Sequence, residues 1–176
     1  PEKDKNHYLG ISQGEARTVE FTHNPLVGLA NLIGTLQENE ALTLCVPPHP
    51  GINRVFPKDR LGKLKKFSSL NVQNAISRSK DYYQWSEDKY ATLLDHDPEP
   101  GQPELDSEQF WQALVSCVPE LAGCGRVVTV STSSGIYDKA TGECLKPATG
   151  HHTYLIVKGD VEKLKQILKV RTWLNG

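Results

Sequence analysis

The strongest constraint on the fold is a change of hydrophobic period that recurs along the second half of the chain. From Tyr90 onward, short apolar runs rich in β-branched residues alternate with stretches whose apolar residues return every three or four positions. Proline, glycine or a capping residue marks each change. Tyr90-Ala-Thr-Leu-Leu-Asp95 reads as a strand, closed by Pro98. Asp106 with Gln109 three positions on has the spacing of a capping box, and Phe110, Trp111, Leu114, Val115 and Val118 form the buried stripe of the helix it opens. Arg126 to Ser131 is a β-branched strand. A connection containing Gly, Lys and Thr, from Gly135 to Gly150, leads into a further strand, His152 to Val157. Asp160 then caps a last helix with Val161, Leu164, Ile167 and Leu168 on one face. Strand, helix, strand, strand, helix in that order predicts an α+β architecture, a sheet with helices packed over one face.

The first half is less patterned. Asn24 followed by Pro25 has the form of an N-cap and a first-turn proline, and Leu26, Leu29, Ile33 and Leu36 recur at helical spacing. Ala41 to Val46, stopped by Pro47-Pro48, suits a strand. Arg54 to Trp85 shows no strong period and is left unassigned. A chain of 176 residues has material for one good-sized core. The expectation is therefore a single domain over 1–176, with residues 1–89 as an N-terminal module and 90–176 as the core.

Charge narrows the function classes. The net charge of −1 argues against binding nucleic acid through bulk positive charge, yet Lys58, Arg60, Lys63, Lys65 and Lys66 cluster in the N-terminal module. That run reads either as a solvated face or as a strip for template or triphosphate. Acidic residues concentrate between Asp95 and Glu108. No apolar run is long enough to cross a bilayer, and no charged-then-apolar leader opens the chain, so a cytoplasmic piece of a longer product with no membrane partner is expected. Cys45, Cys117, Cys124 and Cys144 form no CxxC pair and are expected as reduced, mostly buried thiols.

The chemistry lies in two places. In Leu94-Asp95-His96-Asp97, strand alternation sets Asp95 and Asp97 on one face and Leu94 and His96 on the other. Two neighbouring carboxylates with no cation in the adjacent sequence repel unless a positive charge sits between them, and hard oxygen ligands favour Mg²⁺ or Mn²⁺. In Gly150-His151-His152-Thr153-Tyr154, the same alternation puts His152 with Tyr154 and His151 with Thr153. The Ser131-Thr132-Ser133-Ser134-Gly135 turn offers hydroxyls and backbone N–H groups suited to phosphate oxygens.

Taken in order, these motifs resemble the archaeo-eukaryotic primase superfamily, specifically the primase-polymerase domains of plasmids, phages and integrated elements. Asp95-x-Asp97 is similar to the family's metal-binding motif, and Gly150-His151-His152 to its small-residue-x-His motif. The resemblance implies an RRM-like palm sheet, catalytic and metal-binding roles for Asp95 and Asp97, and nucleotide-phosphate contacts for His152, Ser133 and Ser134. It further implies Mg²⁺ or Mn²⁺ as cofactor, nucleoside triphosphates and a single-stranded DNA template as partners, and compatibility with a fused or associated helicase. Two departures stand out. Gly150 occupies a position where many members carry serine, and the family's third carboxylate is expected past the Arg171-Thr-Trp-Leu-Asn-Gly176 stretch; Asp160 reads as an N-cap.

Other classes remain open on sequence. A rolling-circle or relaxase-type nuclease could use Tyr154 as nucleophile, but needs two histidines on one face, whereas His151 and His152 diverge. A non-catalytic DNA-binding replication module would retain the motifs without turnover. Zinc at Cys144 and His151 would have two of the four ligands it requires.

Overall fold

The computed structural model describes residues 13–37, 39–67, 73–86, 88–98, 101–131 and 134–174. The elements in chain order are β1 (Gly14–Ala16), α1 (Pro25–Thr35), β2 (Asn53–Phe56), α2 (Lys58–Phe67), β3 (Ala75–Ser77), β4 (Lys89–His96), α3 (Ser107–Cys117), β5 (Val127–Val130), β6 (Ile136–Tyr137), β7 (Cys144–Lys146), β8 (His151–Lys158) and α4 (Val161–Leu174). They form two compact units, one of Pro1–Glu20 with Cys45–Ser86, the other of Phe21–Leu44 with Glu87–Gly176. The α+β class is as expected. The division is not a simple break near residue 89, because Phe21–Leu44, with α1, groups with the second half.

The second unit is built on an antiparallel sheet of order β4-β8-β5. Alternation along β8 sends Leu155 into a cluster with Trp111, Leu114, Val118 and Leu121, against which Leu94, Val157 and Leu168 also pack. This is the face covered by α3 and α4. Each large side chain it removes from water contributes about 1.5–3 kcal/mol. The capping box of α3 forms as its spacing predicts: Asp106 Oδ1 accepts from the N–H groups of Glu108 and Gln109, and Gln109 Oε1 accepts from Asp106 N–H. Asp160 likewise accepts from Glu162 and Lys163 at the start of α4. The connection from Gly135 to Gly150 folds as the β6–β7 hairpin, with an irregular register at Ile136/Tyr137.

Three local expectations need correction. Asn24 is the residue before α1, but it is left-handed (φ 45°) and its side chain makes no capping bond; the backbone alone closes the turn, Gly28 N–H to Asn24 C=O at 3.1 Å. Ala41–Val46 is not a strand. Only Val46 pairs, as an isolated bridge to Gln84, because proline follows at once and no longer partner lies alongside. None of the four cysteines is in a disulfide, but Cys124 and Cys144 are exposed and only Cys45 and Cys117 are partly buried.

The first unit holds the stretch that showed no period. Here β2 pairs antiparallel with β1 and parallel with β3, with α2 as the crossover. Strands of three and four residues are too short to display alternation, and α2 has only Leu61 and Leu64 as apolar positions among its cations before Phe67.

Candidate functional site: a carboxylate pair beside a histidine

Register brings the motifs together. β8 is the middle strand, so His152 has Asp95 of β4 opposite it on one side and Thr129 of β5 on the other. Cross-strand partners share a face, and His152 Nε2 lies 3.4 Å from Asp95 Oδ1. His152 is largely enclosed, its side chain 16% exposed, whereas the Asp95 carboxylate is 57% exposed. Tyr154 sits on this face too, edge-on to the His152 ring. Burial pushes its phenol above the ordinary tyrosine value, against an opposing hydrogen bond with Thr129.

Asp97 lies just past the end of β4. Its Oδ1 is 3.2 Å from the ammonium of Lys146 on β7. The sequence near Asp95 and Asp97 holds no cation; the fold brings the Lys146 ammonium to Asp97 and the His152 imidazole to Asp95 from elements far along the chain. Sequence reading missed Lys146, whose only signal was its place in the connection ahead of the histidines.

Gly150 explains how the turn before β8 closes. A Cβ placed there would meet Ser134 Oγ at 2.6 Å, Asp97 Oδ1 at 3.0 Å and Ser131 Cβ at 3.2 Å. The Ser134 hydroxyl accepts the Gly150 N–H at 2.8 Å, and Ser131 N–H donates to the Gly150 carbonyl at 2.9 Å. A serine at position 150 has no room, because the Ser134 hydroxyl already fills that space from a different part of the backbone. Ser131 and Ser134 are both buried. Ser133 lies outside the described residues.

The opposite face is separate. His96 and His151 face each other across β4 and β8 with ring centroids 4.9 Å apart, and Phe110 packs on both. The Nε2 atoms of both histidines are buried with no hydrogen-bond partner among the described residues. Burial, then the neighbouring His96, hold His151 below the ordinary histidine value. The native state therefore binds fewer protons here than the unfolded chain. Stability contributed by neutral His151 is present above the unfolded value of about 6.5 and is lost as pH falls from there toward the lower native value. Urea midpoints should accordingly drop between pH 7.5 and 5.5, and the drop should be smaller in His151→Phe. An unchanged slope in that variant would show that other groups set it.

Among the described residues no group of three or more His, Cys, Asp or Glu side chains is arranged to hold a metal ion. Cys144 is exposed on β7 while His151 is buried on β8, which gives the zinc reading no ligand set. Asp138 caps its own turn through Ala140 and Thr141 N–H groups, and Asp160 caps α4. Asp95 and Asp97 are both exposed, with His152 beside Asp95 and Lys146 against Asp97 Oδ1. No helix of the described residues is long and apolar enough to cross a membrane. Compared with protein-family models, with curated proteins and with solved structures, the chain matches none.

Proposed function

We propose that the β4-β8-β5 unit is the palm-like core of a primase-polymerase of the archaeo-eukaryotic type, catalysing template-directed nucleotidyl transfer in replication of a plasmid, phage or mobile element. The observation that carries this reading is the meeting of Asp95, Asp97 and His152 at one end of the sheet, with the Ser134–Gly150 turn beside them. A hard divalent cation bound there would supply Lewis-acid stabilisation of phosphate charge. Asp95 and Asp97 are the residues that would hold it. His152 would donate from its imidazole to a phosphate oxygen, and its enclosure would strengthen that bond relative to one made in water. Ser134 keeps the turn closed so that β8 begins at the right height beside Asp97. In the reaction a 3′-hydroxyl oxygen gives up its proton to solvent and bonds to the α-phosphorus, the bond from that phosphorus to the oxygen bridging the α- and β-phosphates breaks, and pyrophosphate leaves.

The relaxase reading is disfavoured, because Tyr154 is buried with its phenol pushed up and lies on the face away from His96 and His151. A non-catalytic nucleic-acid-binding module is the second reading, favoured by Lys146 standing against Asp97.

Nucleoside triphosphate binding in Mn²⁺ separates these readings. The wild-type chain should bind, His152→Ala should bind about tenfold or more weakly, in line with the ~1.5–3 kcal/mol of a hydrogen bond to a charged group, and His151→Phe should bind as wild type. Equal losses in the two variants would contradict the assignment of His152. No Mn²⁺-dependent binding in the wild type would favour the non-catalytic module.

A further inference from the structure

The two units carry opposite charge. The first has eleven Lys and Arg against six Asp and Glu, a net of +5; the second has nine against fifteen, a net of −6, and together they give the −1 of the whole chain. Within the first unit the positive charge is concentrated on α2. Leu61 is buried and Leu64 partly buried on one side, while Lys58, Arg60, Lys63, Lys65 and Lys66 are exposed around the remainder, with Asp59 the one carboxylate on the helix. The flanking cations are held in place. Lys65 donates to the Tyr82 hydroxyl at 2.6 Å, Arg60 donates to Gln13 Oε1 at 2.7 Å and lies over the Phe56 ring, and Lys58 pairs with Asp81 at 3.5 Å. Lys63 and Lys66, one turn apart on the outward side, make no hydrogen bond or ion pair among the described residues.

We infer that the outward face of α2 binds the phosphate backbone of a single-stranded nucleic acid, with Lys63 and Lys66 as its central contacts. Like charges packed on one short helix repel and weaken it, by a few tenths of a kcal/mol for each neighbouring pair. A polyanion reverses that cost and gains the release of its own counterions. Lys65 and Arg60, already ordered by Tyr82 and Phe56, lose less freedom on binding than free side chains would. The choice of a single strand over other polyanions rests on the nucleotidyl-transfer reading; the charge argument does not.

The test is fluorescence anisotropy of a labelled oligothymidylate with the full chain over a series of KCl concentrations. Lys63→Ala with Lys66→Ala should weaken binding about tenfold at low salt. It should also reduce the slope of log K against log salt by roughly 1.4, the contribution of two phosphate contacts on a single strand. A control of the same charge change on the other unit, Lys163→Ala with Lys169→Ala on α4, should change affinity less than twofold. Equal losses in the two double variants, an unchanged slope, no binding by the wild type, or tighter binding to phosphatidylserine vesicles than to the oligonucleotide would each overturn the inference. Mn²⁺-dependent nucleotide binding is read in the same samples. Its absence counts against the reading of Asp95 and Asp97, while the oligonucleotide arm alone decides the role of α2.

Discussion

Replacing Asp95 and Asp97 together with asparagine should abolish Mn²⁺ binding at the end of β4, seen as loss of paramagnetic broadening of the amide signals of β4 and the start of β8. Asparagine preserves shape and removes both negative charges. With no third acidic ligand beside them among the described residues, nothing there would hold a hard cation, and affinity should fall by on the order of a hundredfold or more. Each single variant should retain weak binding. The position of Lys146 adds a second expectation of opposite sign. Its ammonium, 3.2 Å from Asp97 Oδ1, competes with any cation for that oxygen. Near a protein surface a charge a few ångströms away is worth ~1 kcal/mol or more, so Lys146→Met should tighten Mn²⁺ binding several-fold. Broadening that persists in the double asparagine variant would place the metal elsewhere. An unchanged affinity in Lys146→Met would show that the lysine moves away at no cost.

Gly150→Ala should be strongly destabilising and should reach the candidate site as well. The added methyl has nowhere to go, with the Ser134 hydroxyl, the Asp97 carboxylate and Ser131 all around it. Overpacking of this kind costs roughly 1–3 kcal/mol, and thermal denaturation should show Tm lower by about 3–10 °C. The methyl also crowds Asp97 Oδ1, so Mn²⁺ affinity should fall along with stability. Adding Ser134→Ala removes the nearest atom and should restore part of the lost Tm, though not all of it, since the Gly150 N–H then lacks the hydroxyl it bonds to. Strict additivity of the two substitutions would show that the two residues do not interact.

How much of this could be read without coordinates depended on the range of the interaction involved. The α3 capping box, the Asp160 cap, the proline at the start of α1 and the opposed faces of His151 and His152 were all legible, because each depends on residues within one turn or one strand of each other. Where neighbouring residues leave the backbone more than one choice, local reading failed: Asn24 caps through its carbonyl in a left-handed conformation, and Val46 forms a single bridge instead of ending a strand. In β2, α2 and β3 the elements are short and most of their partners are distant, so no periodic signal could build up before pairing.

The candidate site divides in the same way. Period-two alternation is a property of the strand itself, so the sequence alone determined that Asp95 and Asp97 share a face and that only one of the two adjacent histidines can join them. Which histidine does so is a matter of register, and only the pairing of β4 with β8 set Asp95 opposite His152 and His96 opposite His151. Tertiary structure also decided that Lys146 neutralises Asp97 and that the Ser134 hydroxyl takes the space of a side chain at position 150. It further decided that Phe21–Leu44 joins the second half, leaving a basic unit and an acidic one. These contacts span from sixteen to many tens of residues, and their free energy comes from packing and charge in the assembled sheet, which no local pattern of residues encodes.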